Sequence, residues 1–192
     1  MKPTFKAFHG DPAVKQKYID RMKAHMAAEQ LVQGTGFDTA SQKGCAVGCT
    51  LDKYSHFAYE EELGIPFMIA ILEDNIFEAL SAEQSKSFPL EFLEAVPVGV
   101  DLSKVFHQLE IWNLLDEKHG IIHKMKTDEE KKICTDLASL HQKIVDGIET
   151  TEVEWKAVKD RAYRAYRADL AYRAYRTPFM RAVFINFIRE AK

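Results

Sequence analysis

Two cysteines in a short glycine-containing segment are the residues of this chain that most directly suggest chemistry. Residues 44–49 read Gly-Cys-Ala-Val-Gly-Cys, so Cys45 and Cys49 are four positions apart. In an extended strand their Cα atoms would be about 13 Å apart, whereas a helical turn or tight loop brings them within the ~4.4–6.8 Å of a disulfide. The spacing differs from the Cys-x-x-Cys of redox sites and lacks the second pair of a zinc finger. Three interpretations stay open: two small residues in a tight loop, a reactive or redox thiol pair, and half of a metal site completed by histidines elsewhere.

His56 and the acidic residues that follow it supply further side chains for such a site. Glu73 and Asp74 interrupt an otherwise apolar stretch, so at least one of them should face outward. The other could point into the fold, near His25 or the cysteine loop. The candidate catalytic residues are therefore Cys45, Cys49, His56 and Glu73.

Four histidines are weaker candidates for metal ligands: His25, His56, His119 and His123. His119 and His123 have the spacing of His-Glu-x-x-His metalloproteases, in which two imidazoles share one helical face. The residues between them are Gly-Ile-Ile, so the catalytic Glu is missing, and Gly120 indicates that the helix has ended. The pattern favours surface histidines, and no cofactor can be named from it.

Alanine, tyrosine and arginine recur almost as a triplet over residues 161–176. A triplet advances about 300° around an α-helix, so each residue type drifts around it and no face is purely arginine. One interpretation is packing or oligomerisation through Ala and Tyr, with the Arg stems across the surface. The other is an anion or nucleic-acid site, in which Arg contacts phosphates and Tyr stacks on bases. Acidic residues on the same element favour packing; the anion-binding candidates are Arg164, Arg167, Arg173 and Arg176.

The composition is that of a globular protein without a membrane span. The 192 residues include 46% hydrophobic and 29% charged side chains, enough to bury a substantial core in a single domain over residues 1–192. No apolar run reaches the roughly 18 residues of a membrane helix, and the N-terminus lacks the apolar stretch of a signal peptide. Three cysteines suit a reducing compartment. We therefore expect a soluble, cytoplasmic protein.

The net charge of −3 is unevenly spread along the chain. Residues 151–192 carry ten Lys and Arg against five Asp and Glu, so the rest of the chain is acidic. A basic segment on an acidic body indicates attraction within the fold or across a dimer, or contact with a polyanion. We favour attraction within the fold or across a dimer over contact with a polyanion.

Apolar spacing predicts helices in the part of the chain that must position the cysteines and histidines. Asp11-Pro12 is typical of an N-cap followed by proline, and the helical spacing then continues as far as Gly34. Residues 34–55 have the composition of a loop, with a short hairpin around Cys45–Leu51. Pro66 opens a helix that is apolar nearly all round in its first half and should be central in the fold.

The second half of the chain shows the same helical periodicity. Thr127 and Glu130 form a capping-box start, and the Thr-x-x-Glu pattern repeats at Thr151. A break is predicted at Thr177-Pro178, followed by a final helix. Strand patterns are weak throughout. The expected fold is all-α, a compact bundle of seven or eight helices with one irregular Gly/Cys loop.

Several segments together resemble those of an uncharacterised group of bacterial proteins. They are Gly-Cys-Ala-Val-Gly-Cys at 44–49, Glu-Leu-Gly-Ile-Pro at 62–66, Leu-Glu-Asp and Ile-Phe-Glu within 72–78, and Val-Pro-Val-Gly-Val-Asp-Leu-Ser at 96–103. The likeness covers about residues 25–105, and the Ala/Tyr/Arg-rich helix also fits it. The resemblance implies a single domain of bacterial type with no assigned activity and supplies no catalytic residues.

Three functions therefore stand as expectations. The leading one is a helical protein that works through protein contacts, as a homodimer in one interpretation. The second is a thiol- or metal-dependent enzyme or redox protein that uses the Cys45/Cys49 loop. The third is nucleic-acid or phosphate binding through the Arg/Tyr-rich helix. Dinucleotide, P-loop and serine-hydrolase motifs do not occur in the sequence.

Overall fold

Helices make up 65% of the structure, a computed structural model that describes residues 5–158 and 170–191. Of residues 170–179 it describes the backbone. The predicted all-α class is confirmed, and the described residues form ten helices and one two-stranded sheet rather than seven or eight helices. The count is higher because several helices last only one turn. No helix within the described ranges is both long enough and apolar enough to cross a membrane.

The chain divides into two compact units, Met1–Ser103 with Arg181–Lys192, and Lys104–Met180. That they form one domain stays a prediction. After a short 3₁₀ helix, Ala7–Gly10, the elements of the first unit are α1 Pro12–Ala27, β1 Phe37–Asp38, β2 Lys43–Gly44, α2 Ala46–Leu51, α3 Ala58–Leu63, α4 Phe67–Ala79, α5 Ala82–Ser85 and α6 Phe88–Ala95. The second unit contains α7 Val105–Leu115, a 3₁₀ helix Ile121–Lys124, α8 Asp128–Val145 and a helical segment over 152–158, which is α9. The last helix, α10, is Leu170–Glu190.

Helix α1 begins where the sequence predicts, but it ends earlier than predicted. The Asp11 side chain accepts a hydrogen bond from the Ala13 amide at 2.8 Å, and Pro12 occupies the first helical position. The helix ends at Ala27, seven residues before Gly34, because Glu29 adopts the left-handed conformation with φ 53°. The chain then turns back towards the cysteine segment.

A small hairpin precedes the cysteine helix, so the predicted hairpin around Cys45–Leu51 is wrong in position. Phe37 pairs with Gly44, and residues 46–51 are helical instead. Glycine is required at Gly48 because a Cβ atom there would overlap the carbonyl oxygen of Gly36. Helix α2 can therefore lie directly against the loop that leads into β1.

Helix α4 is buried along most of its length, as predicted. Its buried apolar residues include Ile69, Ile76 and Phe77. The expectation that Glu73 or Asp74 faces outward is wrong, because they are 0% and 8% exposed. Two acidic side chains are thus held inside the apolar part of the first unit.

The second unit is built on α7 and α8. The predicted capping box lies at the start of α8. The Thr127 hydroxyl accepts from the Glu130 amide at 3.2 Å, and the Glu130 side chain accepts from the Thr127 amide at 2.9 Å. The predicted helix start at Thr151 is confirmed too, since the Thr151 hydroxyl accepts a hydrogen bond from the Glu154 amide. The predicted break at Thr177-Pro178 is wrong. Helix α10 continues through the proline, which costs one backbone hydrogen bond that the helix formers on both sides offset.

Candidate metal centre

Three potential metal ligands from two helices converge in the first unit. The Sγ atom of Cys45 and one carboxylate oxygen each of Asp74 and Glu78 all lie within 4.8 Å of one another. Cys45 and Asp74 are buried, and Glu78 is exposed. The group therefore reaches from the interior to the surface.

Local backbone geometry fixes each member of the cluster. Cys45 is the N-cap of α2, where its sulfur accepts from the Gly48 amide at 3.5 Å. Asp74 and Glu78 are four residues apart on α4, so they share a face. The Oε2 atom of Glu78 accepts from the Gly34 amide at 2.7 Å, which ties the loop before β1 to the same face.

The two oxygens of Asp74 have different surroundings. Its Oδ2 accepts from the Tyr54 hydroxyl at 3.1 Å and contacts the His56 Nε2 at 3.0 Å. Its Oδ1 is buried and has no hydrogen-bond partner among the described residues. A buried carboxylate oxygen without a partner is costly, since the group has given up its water. Tyr54 and His56 thus orient Asp74 through one oxygen and leave the other for a ligand.

Charge and burial both favour a cation at this place. Burial raises the pKa of the Cys45 thiol, and the Asp74 carboxylate beside it raises that pKa further. Burial also raises the pKa of Glu78, with Asp74 adding to the rise and the Gly34 amide opposing it. Burial and the same carboxylate raise the pKa of Tyr54 to about 12. Burial is the main cause of all three shifts, and the Asp74 carboxylate adds to each of them.

The second cysteine of the loop has a different role. The Cys49 thiol donates to the carbonyl oxygens of Gly44 at 3.4 Å and Gln30 at 3.7 Å. Burial raises the pKa of Cys49 to about 12, so it is a protonated thiol at neutral pH. Cys45 and Cys49 are both free and buried. Neither has the electropositive surroundings of a reactive thiolate in this arrangement.

The carboxylate proposed from the sequence as a partner of Cys45 lies on another side of α4. The Glu73 side chain accepts from the Tyr59 hydroxyl at 2.6 Å, and its second oxygen is buried without a partner among the described residues. Burial raises the pKa of Glu73 well above its ordinary value, and the neighbouring Asp74 adds to the rise, which favours the neutral acid. Of the four sequence candidates, Cys45 and His56 are thus the two that meet around Asp74.

The remaining candidates are not part of this cluster. His25 contacts Asp52 through Nε2 at 2.8 Å and Gln30 through Nδ1 at 2.7 Å, which closes the loop after α1. In the second unit, the His123 ring contacts the Asp116 carbonyl at 2.9 Å and the His119 ring lies 6.3 Å from that of Trp112. Arg164 and Arg167 lie outside the described residues, and of Arg173 and Arg176 only the backbone is described.

Three residues of the site were missed as candidates from the sequence: Tyr54, Asp74 and Glu78. The spacing of the two carboxylates, four apart on a helix that is otherwise apolar, is the pattern that could have found them. Tyr54 offers no such pattern, because it lies on a loop and reaches the site through tertiary contact.

Comparison of the chain with known protein families, with curated proteins and with solved structures finds no match. The resemblance to an uncharacterised bacterial family stays a prediction. Function must therefore be argued from the site itself.

Proposed function

We propose that this protein binds a divalent transition-metal ion through Cys45, Asp74 and Glu78 and uses it in metal-dependent chemistry. The observation that carries the proposal is the buried Oδ1 atom of Asp74, which lacks a hydrogen-bond partner in the described structure and belongs to the residue that faces the Cys45 thiol. A metal ion would complete the coordination of that oxygen. It would also neutralise two carboxylates that repel each other.

The donor set selects the class of metal. A thiolate favours zinc, iron or cobalt over magnesium or calcium, which prefer oxygen donors alone. With Zn–S near 2.3 Å and Zn–O near 2.0–2.2 Å, tetrahedral donors lie roughly 3.3–3.6 Å apart. The donor atoms lie within 4.8 Å of one another, so metal binding would need a contraction of at most about 1.5 Å, part of which the exposed Glu78 side chain could supply. Binding would release the Cys45 proton, since only the thiolate is a strong ligand.

Three protein ligands leave at least one coordination position for water or substrate. Catalytic zinc sites have this composition, whereas structural sites use four protein ligands. The exposure of Glu78 and the half-exposure of Tyr54 support an open position on the solvent side. A metal held in this way polarises a carbonyl or phosphoryl oxygen or activates a water molecule. Hydrolysis of a small substrate is the reaction class that these features support best.

Metal titration with matched cysteine variants tests the proposal. Purified, reduced protein is stripped with a chelator, loaded with Co²⁺ and examined for the ultraviolet absorption of a thiolate–cobalt bond. We expect one equivalent of metal and a thiolate band in the wild type and in Cys49→Ser. We expect no such band in Cys45→Ser and weak binding in Asp74→Asn. A band that survives in Cys45→Ser would refute the site, because Cys49 and Cys134 are the other thiols in the chain.

A second candidate function is supported by exposed apolar residues of the second unit. Ile148 and Val153 are 54% and 78% exposed, which favours burial against another protein or a second copy of this chain. We propose the homodimer as this alternative, with light scattering of the wild type and Val153→Glu as its test. A monomeric wild type would exclude it. Retention on heparin that falls with salt would instead support anion binding.

We also propose a cytoplasmic location and a bacterial origin. The support is the burial of three free cysteines, which persist as thiols in a reducing compartment, and the resemblance of the loop and helix segments. Thiol titration of denatured protein from freshly lysed cells tests the cytoplasmic location. It should give three thiols per chain.

A further inference from the structure

A group of aromatic side chains lies directly beside the candidate metal centre. We define it as the aromatic ledge: Tyr54, His56, Phe57 and Phe67. The Phe57 and Phe67 rings are stacked, with centroids 4.2 Å apart and an interplanar angle of 11°. Phe57 is nevertheless 67% exposed and Tyr54 is 52% exposed. One exposed aromatic residue needs no explanation, but a stacked pair joined to further rings is a preformed apolar surface.

The ledge is continuous with the metal ligands. The His56 ring contacts the Phe67 ring edge-on at 6.3 Å and the Tyr54 ring at 5.0 Å. Both His56 and Tyr54 also bond to the Oδ2 atom of Asp74. A ligand whose polar end reaches the metal therefore has the rings of the ledge as its neighbours.

The geometry of α4 sets the distance between the two parts. Phe67, Asp74 and Glu78 are at positions i, i+7 and i+11, so they follow one face of the helix. Seven residues of α-helix span roughly 10 Å. The backbone of Phe67 is thus about 10 Å from that of Asp74 along α4, and the Tyr54 and His56 rings lie between the phenylalanine rings and the carboxylate.

We propose that the site recognises a small ligand with an oxygen-donor head, which binds the metal, joined by an alkyl linker to an aromatic ring, which stacks on Phe57. This inference rests on the proposed metal site and adds its specificity. The oxygen donors suit the open metal position, and a flat ring suits the exposed face of the Phe57–Phe67 pair. Phe57 is the specificity-determining residue. His56 and Tyr54 connect the two subsites.

Three hydroxamates with the same metal-binding group test the assignment on zinc-loaded protein. Acetohydroxamate has the head alone, hexanohydroxamate adds the alkyl chain, and 6-phenylhexanohydroxamate adds the ring. Calorimetric titration should give an affinity about tenfold higher for the phenyl compound than for hexanohydroxamate, as expected for aromatic stacking. Phe57→Ala should reduce that ratio to about twofold or less and leave acetohydroxamate binding unchanged.

The control is Val98→Ala, which removes an exposed apolar side chain that does not belong to the ledge. It should keep the tenfold ratio. Equal affinities for the phenyl and alkyl compounds, or a ratio that survives in Phe57→Ala, would overturn the ledge and leave the metal site standing. Failure of all three hydroxamates to bind, together with an absence of bound zinc, would overturn both.

Discussion

Acid should destabilise the second unit through a buried pair of histidines. The Nδ1 atoms of His107 and His141 are 2.8 Å apart, so one ring donates to the other and both cannot be protonated there. His141 is 5% exposed and packs edge-on against Trp155, with centroids 4.9 Å apart. Burial lowers the pKa of both rings, and with the neighbouring His107 it lowers the pKa of His141 from 6.5 to about 4. The native state therefore binds fewer protons than the unfolded chain between these two pH values.

The sign and the size of the effect follow from that difference. The stabilisation is fully present above about pH 6.5 and is lost as the pH falls from 6.5 towards 4. At about 1.4 kcal/mol per pH unit, the loss for His141 is at most about 3.5 kcal/mol. Stabilities of domains are typically about 5–15 kcal/mol, so this is a large part of the total. The stability loss reaches this upper limit if the His107–His141 pair stays buried when it is protonated.

Urea unfolding between pH 7.5 and pH 4.5 measures the effect. Both tryptophans of the chain, Trp112 and Trp155, lie in the second unit, so intrinsic fluorescence reports on it. His141→Asn keeps a polar atom near His107 without a titrating ring. We expect it to be less stable than the wild type at pH 7.5, because it leaves a cavity, and to lose less stability with acid. The control is His123→Gln at an exposed position of the same unit, which should keep the wild-type slope. An unchanged slope in His141→Asn would refute the reasoning.

Three further predictions concern the first unit. Gly48→Ala should cost at least about 2 kcal/mol in urea unfolding, because its Cβ would meet backbone, while Gly147→Ala has open space and should cost about 1 kcal/mol for its positive φ. A hundredfold excess of Zn²⁺ over its Kd should stabilise the protein by about 2.7 kcal/mol, or roughly 5–11 °C in thermal melts. Cys45→Ser should lose that shift and Cys49→Ser should keep it. Tyr59→Phe removes the one hydrogen bond that the buried Glu73 side chain accepts within the described part of the chain, and it should cost about 1–3 kcal/mol in the same urea assay.

Features set by short stretches of sequence could be predicted well. The Asp11-Pro12 start of α1 and the Thr127 capping box depend on groups within four residues of each other, so their pattern determines their structure. The central position of α4 also follows from its own apolar residues. The all-α class rests on these local features. It is therefore the part of the fold that sequence reasoning obtains most reliably.

Features that depend on tertiary contact were predicted poorly. The hairpin was displaced because the fit of Gly48 against Gly36 cannot be read from the glycine pattern. The break at Thr177-Pro178 was expected because proline disfavours helix interiors, yet the flanking helix formers carry α10 through it. In the site, Cys45 and His56 were found by residue type. Glu73 was chosen as the candidate instead of Asp74, because an apolar helix gives no sign of which acidic side chain the fold will turn towards the cysteine loop.

The burial of Asp74 makes sense if function, not stability, maintains it. An acidic residue opposite Glu78 and beside a thiol weakens the metal-free fold. Two unit charges at this separation repel by about 1 kcal/mol once solvent screening at the exposed partner is included. Asp74→Asn keeps an oxygen for Tyr54 and His56, and its amide can donate towards Glu78. We therefore expect this variant to be about 1 kcal/mol more stable than the metal-free wild type and to bind Co²⁺ only weakly. A variant that is less stable than the metal-free wild type would show that Asp74 is a structural residue, and the case for a metal centre would fall with it.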